Sequence, residues 1–314
     1  MNKTALIVGS SGQDGKIALE YLVKKGYSVI GIDKDAVVTE NPDWKDIVDI
    51  SKKEEIFELL RKVQPDEIYY LAAFHQSSED KTMEDLELFH ISYQVNVSGL
   101  LYFLEGIKQR SPRSKLFYAA SSLIFGDADE EEQTELTPFR PNSIYGITKL
   151  DGLLACRYYR EKYGVLASVG ILYNHESEHR NSKFISMKIV EAAVQIKQGL
   201  RKELIVGDLS AEVDWGYAPD YIDAMHRILG AEKADEYIVA TGEKHSVQDW
   251  VSGAFGYLGV PWENVVKENI QMLTRKRKPM RGNAEKLRKI TGWKPTTSFK
   301  EMVEKMVESK QLNS

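Results

Sequence analysis

Cysteine is almost absent: Cys156 is the only one in 314 residues. An internal disulfide is therefore excluded, and no Cys/His cluster has zinc spacing, so no metal site is expected. This usage fits a reducing compartment, and the cytoplasm is the expected location. Long apolar runs are missing too. The opening stretch Thr4-Ala5-Leu6-Ile7-Val8 is far shorter than the ~20 residues of a membrane span and lacks the flanks of a secretory signal, so no membrane partner is expected. Basic charge is not in excess, with 42 Lys and Arg against 47 Asp and Glu. The formal net charge of -5 argues against a nucleic-acid partner, whose phosphates need a basic face. Internal repeats and low-complexity linkers are lacking.

What is present is an ordinary globular composition, 42% hydrophobic and 28% charged, with ample material for a core. Short β-like runs at residues 5–8, 28–32, 67–72, 116–120 and 167–172 alternate with helical patterns near 15–25, 54–63, 92–108 and 145–163. That alternation predicts an α/β fold, a Rossmann-type doubly wound parallel sheet. After about residue 173 the alternation weakens. A helix near 185–198 and several tryptophans follow, which predicts a smaller C-terminal α/β substrate-binding domain. The strand-like run 237–240, ahead of Thr241-Gly242, is a candidate to return to the main sheet. The expected division is a dinucleotide-binding domain of residues 1–172 with about 214–242, and a substrate domain of 173–213 with 243–314.

Directly after the first strand comes Gly9-Ser10-Ser11-Gly12-Gln13-Asp14-Gly15, opening a helix. One glycine permits the tight turn, another lets a pyrophosphate approach the backbone, and the last allows close helix–strand packing. The helix N-terminus then offers its amides to the phosphates. Glycine-rich turns are common, but this one sits at the first strand–helix junction, where a dinucleotide site belongs. The second strand ends in Asp33, whose carboxylate suits the adenosine ribose hydroxyls and repels the extra phosphate of NADP. NAD is therefore the expected cofactor, with NADP second; Lys34 next door partly offsets the repulsion. Asp49, ahead of Ile50, is either an adenine contact or a helix cap before Ser51.

Tyr145 and Lys149 lie one helical turn apart on one face. A cation near the phenol favours phenolate and lowers its pKa from ~10, so the tyrosine can exchange a proton with a substrate hydroxyl during hydride transfer. Such a pair is frequent on surface helices. Here it follows a glycine-loop opening and a strand ending in Ala120-Ser121-Ser122, which places Ser121 and Ser122 where α/β sheets bind ligands.

At these residues the chain resembles the extended short-chain dehydrogenases/reductases that modify nucleotide sugars, and within them the GDP-mannose 4,6-dehydratases. The likeness runs through Gln13-Asp14-Gly15, Leu71-Ala72-Ala73 and Thr137-Pro138-Phe139-Arg140-Pro141-Asn142-Ser143 before Tyr145. It continues in Asn174-His175-Glu176-Ser177, Asp214-Trp215-Gly216-Tyr217 with Asp220-Tyr221, Ala240-Thr241-Gly242 and Gly292-Trp293-Lys294-Pro295. The resemblance implies that Gly9, Ser11, Gly12, Gln13, Asp14, Gly15, Asp33, Asp49, Ile50, Leu71, Ala72 and Ala73 line the cofactor. It also implies that Tyr145 and Ser121 handle the sugar C4 oxygen while Lys149 holds the nicotinamide ribose. The family's dehydration acid falls two residues past that serine, and here the position is Leu123. Either His75, Glu176 or His179 replaces it, or elimination is lost and C4 chemistry serves an epimerase or a 4-keto-sugar reductase. A non-catalytic dinucleotide-binding protein on the same fold is the remaining reading.

The resemblance further implies that Asn174 and Arg180, with Lys183 and Lys188 nearby, contact the diphosphate of a nucleotide sugar, a GDP-sugar by preference. The family's arginine before Asp-Trp-Gly is Val213 here, which leaves the clamp incomplete. Arg275-Lys276-Arg277-Lys278 and Arg281 are read as diphosphate ligands, with a solvated surface or a nucleic-acid patch as alternatives. The acidic run Asp129-Glu130-Glu131-Glu132 is read as a solvated loop, and His90, His226, His245 and Cys156 as structural. The family usually dimerises through the helices expected at 92–108 and 145–163. Its arginine-rich tetramer loop has little counterpart between Asp33 and Asp49, so a homodimer is expected. The family's products usually feed polysaccharide biosynthesis.

Overall fold

A computed structural model describes residues 2–34, 36–39, 47–74, 83–272 and 278–312. In chain order its elements begin with β1 (Thr4–Val8), α1 (Gln13–Lys24), β2 (Ser28–Asp33), β3 (Ala36–Thr39), α2 (Lys53–Val63) and β4 (Glu67–Tyr70). Next come α3 (Asp85–Tyr93), a π-helical turn Gln94–Ser98, α4 (Gly99–Arg110), β5 (Lys115–Ser121) and a 3-10 turn Ser122–Ile124. Then follow β6 (Glu132–Gln133), α5 (Ile144–Tyr163), β7 (Leu166–Leu172), β8 (Asn174–Glu176), α6 (Ile185–Lys197) and β9 (Leu204–Val206). The chain ends with β10 (Glu212–Tyr217), α7 (Ala218–Gly230), β11 (Glu236–Val239), β12 (Lys244–Ser246), α8 (Val247–Tyr257), β13 (Val266–Glu268), β14 (Arg281–Gly282), α9 (Glu285–Thr291) and α10 (Phe299–Leu312).

Among the described residues the main sheet has seven strands in the order β11-β7-β5-β4-β1-β2-β3. Every pair is parallel except β2 with β3. The expected doubly wound sheet is present, and the run near 237 does return to it, beside β7. Both faces are covered, and alternation divides each strand between them. Leu6 and Val8 enter one core with Leu59, Leu100 and Phe103 from α2 and α4. Ala5 and Ile7 enter another with Leu22, Ile222 and Met225 from α1 and α7. A third buried cluster is built by α6, α8 and α10 around Val190, Trp250 and Met306. Because the chain winds outward in both directions from β1 and β4, their carboxyl ends open a crevice, the usual ligand position.

Local chemistry sets the helices that reach this crevice. Ser143 accepts the Gly146 amide at 3.2 Å and caps α5, while Gly164, with φ of 70°, closes it. The helix expected at 92–108 is real but begins earlier, at Asp85, and carries a π turn. At that turn a Cβ on Gly99 would stand 2.6 Å from the Tyr70 hydroxyl, so only glycine fits.

Two remote motifs turn out to be halves of single contacts. Buried Asp214 accepts hydrogen bonds from Thr241 N, Gly242 N and Gly282 N at 3.0–3.1 Å. Asp220 accepts from Thr296 N at 3.0 Å and Thr297 N at 2.9 Å, and its carbonyl takes the Trp293 indole N–H at 2.9 Å. The acidic run 129–132 is exposed, as expected from sequence, and three of its side chains form surface ion pairs. Asp129 pairs with Arg140 at 2.6 Å, Glu131 with Lys244 at 2.6 Å and Glu132 with Arg281 at 3.0 Å. Its cationic partners come from distant segments, so nothing local in the run announces them. Cys156 is buried, and burial pushes its thiol pKa well up, as a structural cysteine requires.

Candidate active site

The glycine loop leaves no room for side chains. Gly9 has φ of 93°, and a Cβ there would lie 2.7 Å from Ala72 N. A Cβ on Gly15 would meet the Gly9 carbonyl at 2.2 Å. Gly12 caps α1 without a side-chain hydrogen bond, so no side-chain oxygen competes for the first-turn amides. At the end of β2, Asp33 accepts from Ser11 N at 2.9 Å and from Lys34 N at 2.8 Å, which fixes its carboxylate over the loop. Leu71 N donates to Val8 O at 2.9 Å, which seats Leu71, Ala72 and Ala73 beneath Gly9. A loop too tight for a Cβ at Gly9 and Gly15, an uncapped helix start and a carboxylate at the second strand's end together fit a dinucleotide.

Asp49 closes the turn ahead of α2 without capping that helix, whose N-cap is Lys52. It accepts from Ser51 N at 2.9 Å and Ser51 Oγ at 2.7 Å, and its own amide donates to Glu55 at 2.8 Å. Ile50 lies against the start of α4, its carbonyl 3.2 Å from where a Cβ on Gly99 would stand. Gln13 and Asp14 reach across the crevice rather than only along the loop. Asp14 accepts from His175 Nε2 at 2.9 Å and from Gln13 Nε2 at 3.1 Å. Gln13 Nε2 also donates to His175 O at 3.1 Å, and Ser177 Oγ donates to Gln13 Oε1 at 3.0 Å.

Tyr145 and Lys149 stand on the first turns of α5, as expected. Lys149 is 1% exposed, donates to Ala119 O at 2.7 Å, and lies 5.6 Å from the Tyr145 ring. Burial drives the lysine pKa down to about 7, against the opposing field of Asp14. Burial pushes the Tyr145 phenol well up; Arg180 draws it down and Asp14 raises it further. The expectation that Lys149 lowers the tyrosine pKa is therefore corrected. One N–H of Lys149 goes to the Ala119 carbonyl, and burial dominates the shift of the Tyr145 phenol.

Ser121 ends β5 at the crevice and accepts the Leu123 amide at 3.2 Å, which leaves its own O–H to donate. Ser122 is buried beneath it. The Leu123 carbonyl lies 2.6 Å from where a Cβ on Gly146 would be, so position 123 abuts the first turn of the tyrosine helix. An aliphatic side chain there cannot carry a proton. Of the three substitutes, Glu176 is buried and committed, accepting from Ser186 Oγ at 2.7 Å and pairing with Arg180 at 2.9 Å. His179 is placed by its own amide, which donates to Ser177 Oγ at 3.2 Å. His75 lies outside the described residues.

Asn96, on the π turn, escaped the sequence reading. Its Oδ1 accepts Phe74 N at 3.1 Å and its Nδ2 donates to Thr148 Oγ1 at 3.0 Å, so it ties the loop after β4 to α5, which carries Tyr145. The available signal was Asn96-Val97-Ser98-Gly99, a polar residue and a glycine inside an apolar helix.

Among the substrate candidates, Asn174 heads β8 and pairs with Trp215 of β10. The Arg180 guanidinium stacks 3.6 Å from the Phe184 ring while paired with Glu176. Lys183 N donates to Asn181 Oδ1 at 3.0 Å, and Lys188 sits in the first turn of α6. Arg281 is drawn to Glu132 and to Gly242 O at 3.4 Å, so the structure gives it protein partners where a diphosphate was expected. Arg275 lies outside the described residues, and Val213 sits opposite His245 in the β10–β12 pair. Among the described residues no group of His, Cys, Asp or Glu could hold a metal, and no helix is long and apolar enough to cross a membrane.

The sheet order, the glycine cradle at its first turn, and serine, tyrosine and lysine at one crevice define an extended short-chain dehydrogenase/reductase. RMD from Pseudomonas aeruginosa, solved with NADPH, shares the fold with a TM-score of 0.86 at 21% identity, covering 100% of this chain and 99% of that one. UDP-glucose 4-epimerase from Thermotoga maritima shares it with a TM-score of 0.85 at 19% identity, covering 99% of each. A model of the GDP-mannose 4,6 dehydratase family matches residues 6–306. GDP-mannose 4,6 dehydratase 1 of Arabidopsis thaliana is 33% identical over 331 aligned positions, 98% of this chain and 89% of the relative. The Vibrio cholerae GDP-mannose 4,6-dehydratase is 34% identical over 282, covering 84% and 74%. The chain belongs to the GDP-mannose 4,6-dehydratase family and is an enzyme that modifies a nucleotide-linked sugar.

The buried lysine makes stability depend on pH. Its folded pKa of about 7 lies below the unfolded value of ~10.4, so between them the unfolded chain binds more protons and stability rises with pH. Without added dinucleotide, wild type should gain urea resistance between about pH 7 and about pH 10, and Lys149→Met should flatten that gain. Equal slopes in the two proteins would refute the assignment.

Proposed function

We propose that this enzyme moves hydride between a nicotinamide dinucleotide and C4 of a hexose carried on a nucleoside diphosphate, GDP by preference, without expelling water. Leu123 carries the reading. Elimination needs a group that takes the C5 proton, and the family's position for it holds a leucine pinned against Gly146. Glu176, one of the three candidate substitutes, is occupied by Ser186 and Arg180.

The bound dinucleotide would supply or accept the hydride. Ser121 O–H donates to the C4 oxygen, and Tyr145 gives that oxygen its proton as the ketone is reduced, or takes it back in the reverse direction. Reduction of a C4 ketone with Tyr145 as proton donor is the half-reaction that both a 4-keto-sugar reductase and a 4-epimerase perform. Lys149, close to the tyrosine ring, would hold the nicotinamide ribose. Residues 1–172 with about 214–242 hold the dinucleotide in this reading, and 173–213 with 243–314 hold the nucleotide sugar.

Mass spectrometry with GDP-, UDP-, CDP- and dTDP-hexoses and their 4-keto derivatives tests this. A new isomer of unchanged mass, or a shift of two hydrogens, is expected, and loss of one water would overturn the reading in favour of a dehydratase. Tyr145→Phe should slow turnover at least about 100-fold, and undiminished turnover would exclude Tyr145 as the proton carrier.

The fixed Asp33 carboxylate supports NAD over NADP. Fluorescence titration should give NAD a dissociation constant at least about tenfold lower; the reverse order would refute the preference. α5 leaves Leu154 43%, Tyr158 50% and Tyr163 42% exposed, a face that supports a homodimer. Light scattering should report two chains, and a monomer or tetramer would refute it.

A further inference from the structure

Gln13-Asp14 and His175-Glu176-Ser177 stand some 160 residues apart, with separations of 161–164 between the bonded pairs. Folding brings them into one clasp of three hydrogen bonds, namely Asp14–His175, Gln13–His175 O and Ser177–Gln13. His175 Nδ1 also lies 2.7 Å from Tyr173 O, and its ring stacks on Tyr221 at 4.5 Å. With both ring nitrogens facing oxygen acceptors, the imidazole is held as a double donor, which is the cation.

Asp14 poses an electrostatic problem that this cation answers. It sits in the first turn of α1, where a carboxylate is normally welcome. The same amides are the ones a pyrophosphate needs, and two anions at one helix start repel. Both partners are largely buried, with side chains 12% and 21% exposed, so solvent screens the repulsion poorly. Neutralising Asp14 with a proton is not the solution adopted. Burial alone would raise its pKa, but His175 outweighs burial and holds it below the usual carboxylate range. The same pairing raises His175 against burial.

We propose that Asp14 and His175 are a positioning pair for the C4 reaction, a charge-balanced clasp that joins the dinucleotide loop to the sugar-nucleotide segment beginning at Asn174. The inference rests on the reading of this crevice as a C4 hydride-transfer site. His175 keeps the Asp14 charge from opposing the dinucleotide phosphates and from raising the Tyr145 phenol. Of the other charged or titratable groups, Arg180 beyond β8 acts on both members, Tyr145 and Lys149 on α5 feel Asp14, and Tyr221 on α7, stacked on His175, itself feels Asp214 on β10, Asp220 on α7 and Glu176 at the end of β8. Asp14 acts on both Tyr145 and Lys149, so a change in its compensation is felt at the reacting oxygen.

Charge balance predicts an asymmetry that a simple hydrogen-bond network does not. His175→Gln leaves Asp14 uncompensated, whereas Asp14→Asn lets the buried imidazole shed its proton and leaves no net charge. NAD affinity, read by fluorescence, should fall at least about tenfold in His175→Gln. It should fall less in Asp14→Asn than in His175→Gln, and the double variant should recover to the Asp14→Asn level. The pH profile of sugar turnover should shift its tyrosine-dependent limb upward in His175→Gln alone. Equal losses in the two single variants, or a double variant no better than His175→Gln, would overturn the pair. Should His175→Gln fail to fold, the double variant must fold, and its failure too would show a packing role and overturn the inference. A wild type that binds neither NAD nor NADP overturns this inference and the C4 reading together. One that binds dinucleotide but converts no sugar nucleotide overturns the C4 reading alone, and the affinity comparison still judges the clasp.

Discussion

Between β1 and α1 the backbone passes so close to the exit of β4 that a single methyl group at Gly9 or Gly15 would collide with main-chain atoms. This contact sets the geometry of the crevice. It presses Ala72 under the glycine loop, so the chain leaving β4 is steered along the crevice toward Phe74. There Asn96 takes the Phe74 amide on one side and bonds Thr148 on the other. The dinucleotide cradle and the tyrosine helix are thus separated by one peptide hydrogen bond and one side-chain bridge. A buried amide that loses a partner costs about 1–3 kcal/mol, so the spacing between cradle and helix is enforced rather than merely permitted.

Much of this was legible in the sequence because it follows from short-range chemistry. Leu6-Ile7-Val8 reads as a strand covered on both faces, and the glycine spacing reads as a turn into a helix. Tyr145 and Lys149 read as neighbours on one helix face, since that follows from helical pitch alone. The positions of Ser121 and Leu123 followed from the same local register. What stayed hidden depended on partners far away in the chain. The acidic run 129–132 looks like a loop until Arg140, Lys244 and Arg281 arrive. Asn96 sits on a π turn, which no 3.6-residue period reveals. The sequence also misjudged the tyrosine electrostatics, because distance along a helix says nothing about burial. Lys149 is close enough to act on Tyr145, yet burial costs and the Ala119 carbonyl decide its influence.

The motifs that carried the family resemblance divide into two kinds once their contacts are known. Asp214 and Asp220 gather the amides of the Thr241-Gly242 turn, Gly282 and the Thr296-Thr297 turn, so they organise how the later chain closes on the sheet. Asn174-His175-Glu176-Ser177 belongs instead to the crevice, facing the glycine loop through His175 and Ser177 and holding Arg180 through Glu176. Resemblance alone does not separate these roles, since both kinds are equally visible as matching letters.

Hydride transfer at C4 and removal of water from C5 and C6 make different demands on such a crevice. The first needs a cradle, a donor to the C4 oxygen and a proton carrier, supplied by elements that the sheet itself positions. The second adds one proton-transferring side chain beside the same sugar. The backbone at position 123 is held by Ser121, Gly126 and the close approach of Gly146, whichever side chain it bears. An acid there can therefore be exchanged for leucine without disturbing the tyrosine helix or the cradle. A member of this family at 33% identity to a plant dehydratase can accordingly keep the fold and the C4 machinery while losing the elimination step. In the reading proposed above, the choice between elimination and C4 chemistry alone falls at that one strand end, not in the architecture around it.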